Sequence, residues 1–154
     1  MEKSSCDSKS DLNNYRGISV LSPLAKIFEK LLAAQINDYF ENNNLIYKGQ
    51  HVFRLGHSCE SALHELISDK NVDRDAKLSS LLLFIDFKKA FDTVNSNLLL
   101  LKLFHYGFDN DSLKLITDYF RERSQSTKLG KILSRSERIN LGVPQGSFLG
   151  PLFY

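Results

Sequence analysis

Apolar residues recur at three- and four-residue steps from Leu24 to Phe40, through Ile27, Phe28, Leu31, Leu32, Ile36 and Tyr39. That spacing predicts one amphipathic helix with those residues on its inner face. Ser22-Pro23 opens it with a capping hydroxyl and a proline at the first helical position. The polar cluster Glu41 to Asn44 closes it. A second helix is predicted from Ser58, with Ala62, Leu63, Leu66 and Ile67 inward, and a charged loop over residues 71–80 follows. The pattern then changes. Leu81 to Ile85 is an unbroken apolar run that ends on Asp86. A short run of this kind predicts a strand buried on both faces. Asn95 or Ser96 opens a Leu-rich helix that stops at Gly107. Another helix, capped within residues 109–111, turns Leu113, Ile116 and Phe120 inward. Short alternating segments flank Gly130 as in a hairpin. Gly142 to Ser147 reads as a tight turn, with Ser147 ready to cap a last helix. This order is α+β, not a strictly alternating parallel α/β sheet.

The chain has 154 residues and is 42% hydrophobic, enough for one core. Residues 1–13, rich in Ser, Asp and Lys, read as a disordered N-terminus and not as a signal peptide. Residues 14–154 read as one folded body. Pro151-Leu152-Phe153-Tyr154 stops inside an apolar segment, which reads as a cut through a larger domain. The net charge of +2 neither demands nor excludes nucleic acid, since a local basic patch acts without a basic average. Two cysteines, Cys6 and Cys59, make no disulfide framework, so an intracellular setting, nucleus or cytoplasm, is expected. No apolar run is long enough to span a bilayer, and no membrane partner is expected.

The chemistry-bearing residues start with Asp86. A charge where a buried strand leaves the core is costly unless paired. A hard cation such as Mg²⁺ suits a carboxylate there, and a capping or ion-paired aspartate suits it equally on position alone. For Asp92, capping or pairing with Lys88 or Lys89 is favoured over metal ligation. Gly142, Gly146 and Gly150, with Pro144 and Pro151, form a segment where backbone can approach a ligand. Gln145 would be held out from that turn, although a plain turn is the favoured reading. Arg54, in a loop between Gly49 and Gly56, suits a phosphate contact; a solvated arginine is the commoner case. The spacing of His57, Cys59 and His64 fits no usual zinc set. Neither a phosphate-binding Gly-rich loop nor a Gly-x-Ser-x-Gly elbow is present.

Four segments in one order resemble the reverse transcriptases of non-LTR (LINE-type) retrotransposons. Residues 14–22, NYRGISVLS, resemble the family's entry motif. Residues 50–58, QHVFRLGHS, resemble its fingers motif. Residues 84–94, FIDFKKAFDTV, resemble its first palm motif. Residues 142–152, GVPQGSFLGPL, resemble its template-and-nucleotide motif. Gly17 stands where the family usually has Pro, and Val52 where it usually has Gly.

The resemblance implies a right-hand polymerase fragment, fingers and first part of the palm, with helices packed on a small, incomplete, mainly antiparallel sheet. It implies RNA-directed DNA synthesis by two-metal nucleotidyl transfer with Mg²⁺, acting on an RNA template, a DNA primer and dNTPs. By the same resemblance Asp86 is the catalytic metal ligand, with the Phe87 carbonyl beside it. Phe91 is the aromatic gate under the incoming sugar, with Ala90 next to it. Arg54 contacts the triphosphate, and Gln145 lies near nucleotide and template. Arg16 and Gly146 are secondary candidates for template, primer or phosphate contact. The family's second carboxylate motif, two adjacent Asp, is absent from the sequence, as are the thumb and the rest of the palm. The chain alone is therefore expected to lack polymerase activity and to associate through uncovered apolar surface. The alternative is a non-enzymatic, retrotransposon-derived remnant that binds RNA through its fingers. A receiver-like signalling domain with Asp86 as phosphoacceptor needs an acidic pair after an earlier strand, and nothing before residue 80 supplies one.

Overall fold

The structure, a computed structural model, describes residues 15–154. The expected disordered segment 1–13 therefore lies outside the described residues, as does Asn14.

Helix α1 spans Pro23–Asn42; the Ser22 hydroxyl accepts from the Ala25 amide, and Pro23 sits in the first turn. Its buried residues are Glu29, Ala33 and Ile36. Leu24, Ile27, Phe28 and Leu31, expected inward, are exposed. The buried face is thus rotated from the most apolar stripe onto the line 29-33-36-40, because the other elements pack there and a carboxyl group belongs to that line.

Helix α2, Cys59–Asp75, starts with a reciprocal cap between Ser58 and Ser61 and extends into the expected loop. It buries no residue, and Leu63 and Ile67 remain half exposed. Hydrogen bonds from the preceding loop, not apolar packing, hold its first turns.

Residues 78–87 form no helix or strand. Leu81 is 95% exposed, Phe84 80% and Ile85 71%. The expected strand buried on both faces is therefore corrected: an apolar run becomes a buried strand only where neighbouring strands pair with it, and the paired strands among the described residues pair with each other. Those strands are β1 (Ser124–Gln125), β2 (Lys128–Leu129), β3 (Ile132–Leu133) and β4 (Glu137–Arg138). They form two short antiparallel ladders, β1 with β4 and β2 with β3, nested in one hairpin. All eight strand residues are exposed. The sheet is small and antiparallel as expected, but the helices do not pack on it.

They pack on each other. Helix α3, Ser96–His105, is capped by the Asn95 side chain, and α4, Asn110–Phe120, by Asp109. The core joins Ala33 and Ile36 of α1, Leu99 and Leu103 of α3, and Ile116 of α4 with Val143, Leu149 and Phe153 from the C-terminal segment. Tyr39 seals one end: its hydroxyl donates to the Tyr106 carbonyl at 2.7 Å, and its ring meets Phe108 edge-on at 5.2 Å. The short α5, Gly150–Phe153, closes the core. Among the described residues no helix is long and apolar enough to cross a membrane.

Candidate functional site

Asp86 ends the exposed run. It is itself exposed and makes no hydrogen bond or ion pair among the described residues. The chain turns immediately afterwards. Lys89 holds φ +57, in the left-handed region; a non-glycine residue there carries strain of about 1–3 kcal/mol and persists only where its surroundings fix it. The fixing element is a single 3₁₀ turn, Ala90–Thr93, closed by the Thr93 hydroxyl donating to the Ala90 carbonyl at 2.9 Å. The turn half-buries Phe91, whose ring lies 5.4 Å from that of Tyr154.

The start of the GVPQGS segment docks on this turn. The Gly142 amide donates to the Val94 carbonyl at 2.7 Å, and the Val143 amide to the Phe91 carbonyl at 2.8 Å. Gly142 has φ +86, and a Cβ there would lie 2.9 Å from both the Asp92 Cα and the Phe91 carbonyl oxygen. A side chain would push the two segments apart. Pro144 and Val143 are buried, and the Ser147 amide donates to the Pro144 carbonyl at 3.2 Å. Gly146, at φ +99, takes the third position of that turn, as a type II turn requires. Gln145 is thereby held half-buried at the bend. Its carbonyl accepts from the Ser19 amide at 2.9 Å, which ties the segment carrying Arg16 to the same turn. Arg16 itself is exposed.

Behind the turn lies a residue that the sequence reading missed. Glu29 is 1% exposed. One oxygen of its carboxyl accepts from the Tyr119 hydroxyl at 2.7 Å, and the other from the Phe148 amide at 2.9 Å. Burial, then the hydrogen bond to Glu29, pushes the Tyr119 hydroxyl well above the ordinary tyrosine range, so Tyr119 stays a donor. Ser147 is buried beside them, accepting from the Gly150 amide at 2.8 Å. Helices α1 and α4 thus grip the C-terminal side of the turn through one carboxyl group. The available signal was the position of Glu29 on one helical line with Ala33 and Ile36.

Arg54 does not join this cluster. Its Nε and one terminal nitrogen donate to the two Glu41 oxygens at 2.8 and 3.0 Å, a bidentate pair with the last turn of α1. That hydrogen bond holds the Glu41 carboxyl below, and the Arg54 guanidinium above, their ordinary ranges. Nearby, His51 bridges Ser61 at 2.7 Å and Glu65 at 2.6 Å, fastening the loop to α2. The left-handed residues of this loop are Phe53, at φ +58, and Gly56, at φ +74, and not Val52. Val52 therefore gives up no conformation that glycine would supply. Gly17 is likewise undemanding, since a Cβ there meets no atom within 4 Å.

The structure thus joins the segments of Ser19, of Ala90 and Phe91, and of Gln145 and Gly146. It leaves Arg54 on a separate face of α1. Among the described residues no group of three or more His, Cys, Asp or Glu could hold a metal ion. Asp86 and the Phe87 backbone do not by themselves make up a metal site. A groove of about 400 Å³ between α1 and α4, lined by Ile36, Tyr39, Phe108 and Ile116 among others, contains none of the expected site residues.

The family model described as reverse transcriptase (RNA-dependent DNA polymerase) matches residues 3–154, and the chain belongs to that family. Among curated relatives it is 33% identical over 141 residues to a probable RNA-directed DNA polymerase from transposon X-element of Drosophila melanogaster. It is 31% identical over 144 residues to the RNA-directed DNA polymerase from mobile element jockey of the same species. At 26% over 137 residues it resembles a putative COX1/OXI3 intron 1 protein of Saccharomyces cerevisiae. These matches cover 92%, 94% and 89% of this chain but only 15%, 16% and 15% of the relatives.

Proposed function

We propose that this chain supplies the nucleotide-facing part of an RNA-directed DNA polymerase, with a fingers-and-palm architecture, that extends a DNA primer on an RNA template. One observation carries the reading: the turn of Gln145 and Gly146 is docked by backbone hydrogen bonds onto the turn of Phe91, just after Asp86. Two segments about fifty residues apart in sequence thus present an aromatic ring, an amide and a carboxylate on adjoining backbone. Phe91 closes the space a ribose 2′-hydroxyl would need, and Ala90 beside it keeps the approach open. Gln145 faces the nucleotide and template, and Gly146 and Arg16 lie along the nucleic-acid backbone. Asp86, with the Phe87 carbonyl, contributes one carboxylate to a Mg²⁺-binding set completed by other parts of the polymerase. When bound, that metal would neutralise triphosphate charge. Without those ligands the chain alone extends no primer. Arg54, locked to Glu41, reaches the triphosphate only after exchanging that partner. The same lock weighs against a remnant that binds RNA through its fingers.

The test is nucleotide titration of the purified chain followed by NMR. dTTP is expected to shift the Phe91, Gln145 and Gly146 amides, UTP to shift them less, and Phe91→Ala to erase the difference. Shifts confined to the Arg54 loop, equal response to both nucleotides, or no response at all would contradict the reading.

A further inference from the structure

The hairpin between α4 and Gly142 concentrates the positive charge of the molecule. Residues 121–138 hold six cations, Arg121, Arg123, Lys128, Lys131, Arg135 and Arg138, against Glu122 and Glu137. That is +4 in this segment against +2 for the whole chain, so the remainder is net negative. The segment is a two-stranded ribbon. Ser124 pairs with Arg138 and Gln125 with Glu137, and Lys128 pairs with Leu133 and Leu129 with Ile132. The Thr127 carbonyl accepts from the Ser134 amide at 2.9 Å, so a one-residue bulge at 135–136 separates the two ladders. Side chains alternate along the unbulged strand. Ser124 and Lys128 therefore share a face with their partners Arg138 and Leu133, and Glu137, Leu129 and Ile132 take the other. The ribbon is basic on one side, with Lys131 at its tip beside Gly130.

Three of the six cations are occupied. Arg123 stacks over the Tyr119 and Phe120 rings at 5.4 and 5.7 Å and anchors the base. Arg121 pairs with Asp118 at 3.3 Å, and Arg135 with Glu137 at 2.6 Å. Lys128, Lys131 and Arg138 are exposed and pair with no carboxylate among the described residues. Lys128 and Arg138 stand roughly 13 Å apart along the ribbon at the usual strand rise.

We infer that this ribbon is a docking surface for the phosphate backbone of a nucleic-acid duplex. Aligned, unpaired cations on a projecting ribbon suit the regular charge of a duplex. Single-strand binding adds aromatic rings on which bases stack, and residues 121–138 contain no aromatic side chain. The ribbon runs through Ile139 to Leu141 straight into Gly142, so a duplex seated on it adjoins the Gln145 turn. The inference rests on the proposed reading only for the class of polymer.

The experiment is fluorescence anisotropy of the full chain with a short blunt RNA–DNA duplex across a salt series. EDTA is present and nucleotide absent, so failure of the metal or nucleotide assignment leaves the result untouched. Lys128→Ala, Lys131→Ala and Arg138→Ala combined are expected to weaken binding about tenfold or more at moderate salt. They are also expected to lower the log–log salt slope by up to about 3 units, each single variant taking roughly 0.9. Thermal melting of the singles, at exposed residues, keeps the test valid should the triple variant fold poorly. Three results each overturn the inference: no duplex binding by the unaltered chain, variants with unchanged affinity and slope, or single-stranded RNA of equal length bound as tightly as the duplex.

Discussion

Gly142 carries no side chain at the point where a methyl group would lie 2.9 Å from backbone atoms of Phe91 and Asp92. Its left-handed φ adds a second reason for glycine. Gly142→Ala is expected to destabilise the fold by about 1–3 kcal/mol through backbone strain alone, more if the turns separate; urea unfolding reads it, and a neutral variant would mean the two turns are not docked as described. The same scale governs Tyr119, whose folded hydroxyl titrates far above its unfolded counterpart. In the window above about pH 10 the unfolded chain has lost that proton while the folded chain keeps it, so stability falls as pH rises. Below the unfolded value the contribution is fully present. Alkaline melting curves should therefore show a loss that Tyr119→Phe removes; an unchanged alkaline slope in that variant would contradict the Glu29 network.

The elements divide by whether local signals alone fix them. Helices α1, α3 and α4 and the hairpin were legible because caps and turns are local: Ser22, Asn95, Asp109 and Gly130 each act within a few residues. The face of α1 was not legible, since packing and not hydropathy chose it. Ile36→Ala is accordingly expected to cost about 2–5 kcal/mol, and Leu24→Ala, at a residue 80% exposed, less than about 0.5 kcal/mol. Denaturant midpoints of the two variants decide the matter; equal losses would restore the apolar stripe as the buried face. The run Leu81–Phe87 failed as a strand for a different reason. A strand's partners come from elsewhere in the fold, and periodicity carries no record of them. The exposed residues there make the run the leading apolar surface for association.

At the scale of the whole molecule, helices form the core and connecting segments form the site. Three of the four motif segments meet through the Gly142–Ser147 turn, and the fourth is attached through Arg54 to the far end of α1. Motif order could be read from the sequence, whereas the pairing of Gly142 with Val94 and of Gln145 with Ser19 could not, because backbone hydrogen bonds leave no side-chain signature. Glu29 stayed hidden for a related reason: its partners lie 90 and 119 residues away. We propose above all that Asp86 supplies one metal-binding carboxylate just before the Phe91 turn, on which the Gly142–Ser147 segment docks. Paramagnetic relaxation by Mn²⁺ added with dTTP, whose triphosphate oxygens supply the further ligands that Asp86 needs, read amide by amide in the NMR spectrum of the chain, tests it most directly. The expected result is broadening centred on residues 86–91, reaching Gln145 and lost in Asp86→Asn. Broadening centred on other carboxylates, or a pattern that Asp86→Asn leaves intact, would contradict it.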